Sequence, residues 1–245
     1  MGIFEDVARL LGGARIGHEP LAGGVSARVT ALDLALSGGG TRRVVVREPG
    51  AAEWKGSGQQ TARREFDLLA HLHRAGLPVP RPLLIEDRTS QPFFVMEFVE
   101  GTRDLPANGA ELMADVLGRV HAVPFENAPS LPDREDPIAG LPEFLAPDRS
   151  ALRARLAEQS LVLTPRRTLL HGDFWPGNVL WREREVVAVL DWEDAAVGDP
   201  LSDVACCRLE LRYVLGASGA EVFTQRYAQQ TQRQLAELPV WDAYV

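Results

Sequence analysis

The feature that most constrains this 245-residue chain is the stretch 170–203, LHGDFWPGNVLWREREVVAVLDWEDAAVGDPLSD. Asp173 sits in a His-Gly-Asp turn, and Asn178 follows five residues later at the head of an apolar run. Segments 178–181 and 186–190 read as the arms of a β-hairpin, with the charged 182–185 as its turn. Closing that hairpin sets Asn178 and Asp191 across its open end, with Asp173 on the loop beside them. Any one of the three alone is an ordinary turn or strand-end residue. Their combination, followed by Gly198-Asp-Pro200, points to chemistry.

An Asn oxygen and an Asp carboxylate that converge with room for water suit a hard cation such as Mg²⁺ near phosphate oxygens. A further Asp nearby suits phosphoryl transfer to a hydroxyl, which needs a group to orient the hydroxyl and accept its proton. HGDxxxxN, a strand ending in Asp, and GDPxxD together resemble the aminoglycoside phosphotransferase-like kinases, over about residues 20–245. The resemblance implies an α+β, bilobal, protein-kinase-like fold. A small antiparallel β lobe with one helix would span 1–98, and a larger, mainly helical lobe would span 99–245. It also implies ATP (or GTP) as phosphate donor, Mg²⁺ on Asn178 and Asp191, and Asp173 as the catalytic residue. Asp199 resembles the family's structural aspartate, which ties a helix start to the catalytic loop. Family members usually continue past the terminal VWDAYV, so the resemblance implies a chain shortened at its end.

Charge narrows the partners. Residues 1–100 hold 12 basic and 12 acidic side chains, and residues 101–245 hold 14 and 22, so all of the net −8 lies in the second part. That disfavours nucleic acid and accommodates a cationic small-molecule acceptor carrying a hydroxyl. The first thirteen residues form a short amphipathic helix without a basic start and apolar run, so they are no secretory signal. Asp6 stands where a myristoylation signal needs Ser or Thr. No apolar stretch reaches the length of a membrane span, and the expected location is cytoplasmic. Adjacent Cys206 and Cys207 read as buried helix residues rather than a disulfide or zinc pair. Oligomeric state has no signature in the sequence.

Along the chain, residues 20–36 and 41–47 read as a hairpin closed by Ser37-Gly-Gly-Gly40, with the glycine-containing 22–26 at its entry. Gly23 and Gly24 would let backbone amides approach phosphate, and Ser26 would add a hydroxyl donor. Arg47 ends the second strand, where the family supplies a phosphate-holding cation, usually lysine, paired with a helix glutamate. The candidate partner is Glu65, on a helix read over 61–75, with Lys55 as the alternative cation. Residues 77–82 read as a Pro-rich connection leading to a strand at 93–98. Met96, Glu97 and Phe98 fall where kinase-like folds offer backbone groups to an adenine edge. A helix follows at 109–123, then an irregular, six-proline insert at 124–147 and a helix at 149–159. His121 reads as a packed or capping residue, and His171 as a brace for the catalytic turn. Residues 203–215 read as an apolar buried helix and 221–238 as an amphipathic one. Two rival readings are a nucleotide-binding pseudoenzyme of the same fold and a metal-dependent hydrolase using His171, Asp173 and Asp191. Asn178 disfavours the latter, because it suits Mg²⁺ better than zinc.

Overall fold

The computed structural model describes residues 2–21, 27–50, 58–134 and 167–242. It divides into two compact units, Met1–Glu100 and Gly101–Val245. The Gly23, Gly24 and Ser26 loop, Lys55 and the helix expected at 149–159 lie outside the described residues.

The first unit is built on a five-stranded antiparallel sheet in the order β1-β2-β3-β5-β4, formed by β1 (Gly13–Pro20), β2 (Ala27–Leu36), β3 (Thr41–Pro49), β4 (Pro82–Glu86) and β5 (Phe93–Glu97). The two outer strands were not read from the sequence. β1 is polar and mostly exposed, and β4 opens on a proline that sits on an edge, where no ladder donor is needed. Helix α1 (Ile3–Leu10) packs Val7 and Ala8 on one face of the sheet, against Leu32, Leu34, Val44, Val46, Phe93 and Val95. Side chains alternate along β3, so the partners of Val44 and Val46 on the other face are Val45 and Arg47. Phe94 pairs with Arg47 across the ladder and meets Phe66 of helix α2 (Gly58–Arg74) edge-on at 6.3 Å. That places Arg47 against α2 rather than in water, and the strand register alone decides it.

In the second unit, helix α3 (Gly109–His121) packs on the long helix α4 (Leu201–Thr231), which a left-handed Gly216 (φ 77°) breaks into two segments. The stretch read as one buried apolar helix is buried only through Leu211. Leu209 and Val214 are half exposed and Tyr213 is 89% exposed. Short helix α5 (Leu238–Asp242) is held by Arg208, which donates to both carboxylate oxygens of Asp242 at 3.0 Å. A small sheet runs β6-β10-β7, from β6 (Asp133–Arg134), β7 (Thr168–Leu170) and β10 (Ala196–Gly198). Hairpin β8 (Val179–Arg182) and β9 (Glu185–Val189) turns at left-handed Glu183. Thr102 extends its edge by exchanging two backbone bonds with Trp181, both 2.8 Å. No described helix is long and apolar enough to cross a membrane.

Candidate active site

The loop between β7 and β8 carries His171, Gly172 and Asp173, and its shape is set by a carboxylate beneath it. Asp203, fully buried in the first turn of α4, accepts from His171 N at 2.7 Å, Gly172 N at 2.9 Å and His121 Nε2 at 3.1 Å. Burial alone would push the Asp203 carboxyl up. The hydrogen bond and charge of His121, with the backbone N–H of His171, outweigh it and hold the group below the usual carboxylate range. His121 is itself locked between Asp203 and the Tyr227 hydroxyl, 2.7 Å from its Nδ1. It is a packed residue, as the sequence suggested. The aspartate that receives the loop's backbone bonds is thus Asp203, not Asp199. Asp199 instead accepts from Leu201 N at 2.8 Å at the start of α4. Only a helix beginning at Leu201 turns the Asp203 side chain toward the loop.

His171 braces the loop from inside. Its Nε2 lies 2.9 Å from Leu190 O, and Asp173 N donates to its Nδ1 at 3.2 Å. Those partners assign the ring proton to Nε2. Trp192 packs on the same ring at 4.5 Å. Gly172 is left-handed (φ 85°), and a Cβ there would lie 2.0 Å from Asp194 O. Both the conformation and the contact demand glycine.

Asp173 and Asn178 meet directly. Asn178 Nδ2 donates to Asp173 O at 2.9 Å and to Asp173 Oδ2 at 3.0 Å. With both amide protons directed at Asp173, Asn178 Oδ1 keeps its lone pairs for another partner. Across the hairpin, Leu190 N donates to Asn178 O at 2.8 Å, so Asn178 faces Leu190 and Asp191 follows one residue on. Each arm lies one residue nearer the turn than the sequence suggested, 179–182 for 178–181 and 185–189 for 186–190, and the open end still joins the two residues. Asp191 is left-handed (φ 62°), a conformation that costs a non-glycine residue energy and is common at functional sites. Burial raises the Asp173 pKa, and the Asp194 and Asp191 carboxylates raise it further. His171 and the Asn178 amide act in the opposite direction. Asp173 is therefore a stronger base than an exposed carboxylate.

Within the first unit, Arg47 Nε donates to Glu65 Oε2 at 3.0 Å, with both side chains buried. Glu97 donates its backbone N–H to Arg81 O at 2.9 Å. Met96 lies inside β5, opposite Val45, and Phe98 follows the strand with Arg43 stacked on its ring at 4.8 Å.

The family model described as the phosphotransferase enzyme family matches residues 17–238. The chain belongs to that family. The chain is 34% identical over 170 residues to acyl-CoA dehydrogenase family member 10 of Mus musculus, covering 58% of its own length. It spans only 16% of that relative's length. Among solved structures it resembles macrolide 2′-phosphotransferase MphH from Brachybacterium faecium, with a TM-score of 0.71 and 22% identity over 100% of this chain and 88% of the other. It also resembles a thermostable mutant of aminoglycoside phosphotransferase APH(4)-Ia, solved as a ternary complex with ADP and hygromycin B. There the TM-score is 0.69 and the identity 18%, over 100% of this chain and 88% of the other. At such identities the likeness shows the α+β fold. Asp203 and Asp194 were not singled out for these roles in the sequence. The third position after Pro200 was a legible signal for the first, and nothing marked the second beyond its charge.

Proposed function

We propose that this protein moves the γ-phosphoryl group of ATP, with GTP as the alternative donor, to a hydroxyl of a small molecule. The observation that carries this reading is the Asn178 amide, whose two bonds to Asp173 fix both residues and turn Oδ1 into a free acceptor. The donors on offer, an amide oxygen and the Asp191 carboxylate, are hard oxygens that fit Mg²⁺. Asn178 and Asp191 would hold the ion, which when bound would neutralise charge on the phosphate oxygens. Asp173 would orient the acceptor hydroxyl and take its proton, helped by its raised pKa. Arg47, fixed by Glu65, is the candidate cation for nucleotide phosphates in the first unit, together with Gly23, Gly24 and Ser26. Met96, Glu97 and Phe98 are the candidate base-edge segment.

The bound ADP and hygromycin B of one structural neighbour support a nucleotide donor and a cationic, hydroxyl-bearing acceptor. The Asp191, Glu193 and Asp194 carboxylates suit such a cation. The acyl-CoA dehydrogenase relative adds hydroxylated acyl thioesters to the candidates. A nucleotide donor and two free cysteines fit a cytoplasmic setting. The test is an ATP-consumption screen over aminoglycosides, macrolides, amino alcohols, sugars and hydroxyacyl thioesters, with mass spectrometry of the product. A phosphorylated acceptor supports the reading. Nucleotide binding with no phosphorylated product across the panel would favour the pseudoenzyme instead.

A further inference from the structure

Gly172 is the residue of the catalytic loop with the most conformational freedom, and Asp173 hangs directly from it. Rotation about the Gly172 Cα–C bond is a soft motion for glycine, and it would swing the following peptide and the Asp173 carboxylate with it. The backbone on the near side is pinned, since Asp203 takes the N–H groups of both His171 and Gly172. The peptide itself is pinned at both ends. His171 Nδ1 takes the Asp173 N–H at 3.2 Å, and Arg134 Nη1 donates to the Gly172 carbonyl at 3.2 Å.

Arg134 reaches that carbonyl from a separate element. β6 runs parallel to β10, with Gly198 opposite Arg134, and a Cβ on Gly198 would lie 2.3 Å from Arg134 O. The missing side chain at 198 therefore lets the Arg134 backbone sit close enough for its half-buried guanidinium to reach the loop. Among the described residues no carboxylate pairs with Arg134. The adjacent carboxylate, Asp133, pairs instead with Arg167 at 2.5 Å and leaves Arg134 to the carbonyl.

We infer that Arg134 is a positioning residue, which fixes the Gly172–Asp173 peptide and thereby the aim of Asp173. This rests on the phosphotransfer reading, in which that aim sets the rate. A misaimed base costs about a hundredfold in rate without disturbing remote binding. Crystal structures of the wild-type protein and Arg134→Ala test the geometry whether or not an acceptor has been found. The expected result is a turned Gly172 carbonyl and a displaced Asp173 carboxylate, and an unmoved Asp173 overturns the inference. With an acceptor in hand, Arg134→Ala should lower kcat about a hundredfold, leave the Kd for Mg·ADP within about twofold and recover activity with added methylguanidinium. Arg134→Lys, which retains a donor and guards against a variant that fails to fold, should lose much less. An unchanged kcat, or equal loss of kcat and Mg·ADP binding without recovery, refutes the positioning role. If the wild type phosphorylates nothing, the phosphotransfer reading fails separately, and the crystal comparison still decides the geometry.

Discussion

Replacing Asp203 with Asn is the sharpest stability test of this site, because the shape is kept and the charge is removed. The carboxylate receives three hydrogen bonds, from two backbone N–H groups at 2.7 and 2.9 Å and from His121 at 3.1 Å. An amide keeps one accepting oxygen and presents N–H to a group that also donates. At least one buried donor is then stranded, and the remaining bonds lose their charge assistance, each worth about 1.5–3 kcal/mol. The expected loss is about 3–5 kcal/mol, the range for breaking a buried pair from one side. Against a domain stability of about 5–15 kcal/mol, that is a large fraction. Urea unfolding at neutral pH should show it as a lower midpoint at an unchanged slope. Acid supplies a second arm. Because the folded-state pKa of Asp203 is depressed, its contribution is fully present above the ordinary carboxylate pKa and is lost as pH falls through the depressed value. The gap between wild type and Asp203→Asn should close only there. A loss below about 1 kcal/mol, or a gap indifferent to acid, would refute the assignment of Asp203 as the loop's anchor.

Gly172→Ala should cost at least about 2 kcal/mol and abolish turnover, since a left-handed alanine would drive its Cβ into Asp194 O. Thermal melting and a steady-state assay check it, and a stable, active variant contradicts it. Asp194→Asn removes a carboxylate that raises the Asp173 pKa, so the acidic limb of the kcat/KM profile should move to lower pH. A limb that stays put or moves up argues against Asp173 as the titrating base.

The parts of this protein legible in its sequence are those whose signal is local. Asp173, Asn178 and Asp191 lie within nineteen residues, and the hairpin that gathers them follows from two short apolar runs around a charged turn. Arg47 and Glu65 were paired from family resemblance, and the period-two alternation of β3 explains why they meet. What escaped the sequence depends on distant contacts. β1 carries Arg15, His18 and Glu19 and lacks an apolar face, yet it becomes a strand because β2 offers it a ladder. Asp203 looks like one more residue in an apolar helix until the loop, 31 and 32 residues earlier in the chain, is seen to rest on it. Arg134 sits in a proline-rich stretch read as irregular, and only its parallel bridge to Gly198 gives it a place. The exposure of Tyr213 runs against the apolar character of its segment, and α3 is met instead beyond the break at Gly216, by Arg226, Tyr227 and Gln230.

The central claim is that Asp173 serves the acceptor while Asn178 and Asp191 serve the metal-bound nucleotide. The most direct measurement is transfer of labelled γ-phosphate beside calorimetric Mg·ATP binding, made on wild type, Asp173→Ala and Asp191→Ala. The account predicts that Asp173→Ala abolishes transfer and still binds Mg·ATP, whereas Asp191→Ala loses the Mg²⁺ dependence of binding. Equal loss of transfer and binding in Asp173→Ala, or undiminished Mg²⁺ dependence in Asp191→Ala, would contradict it.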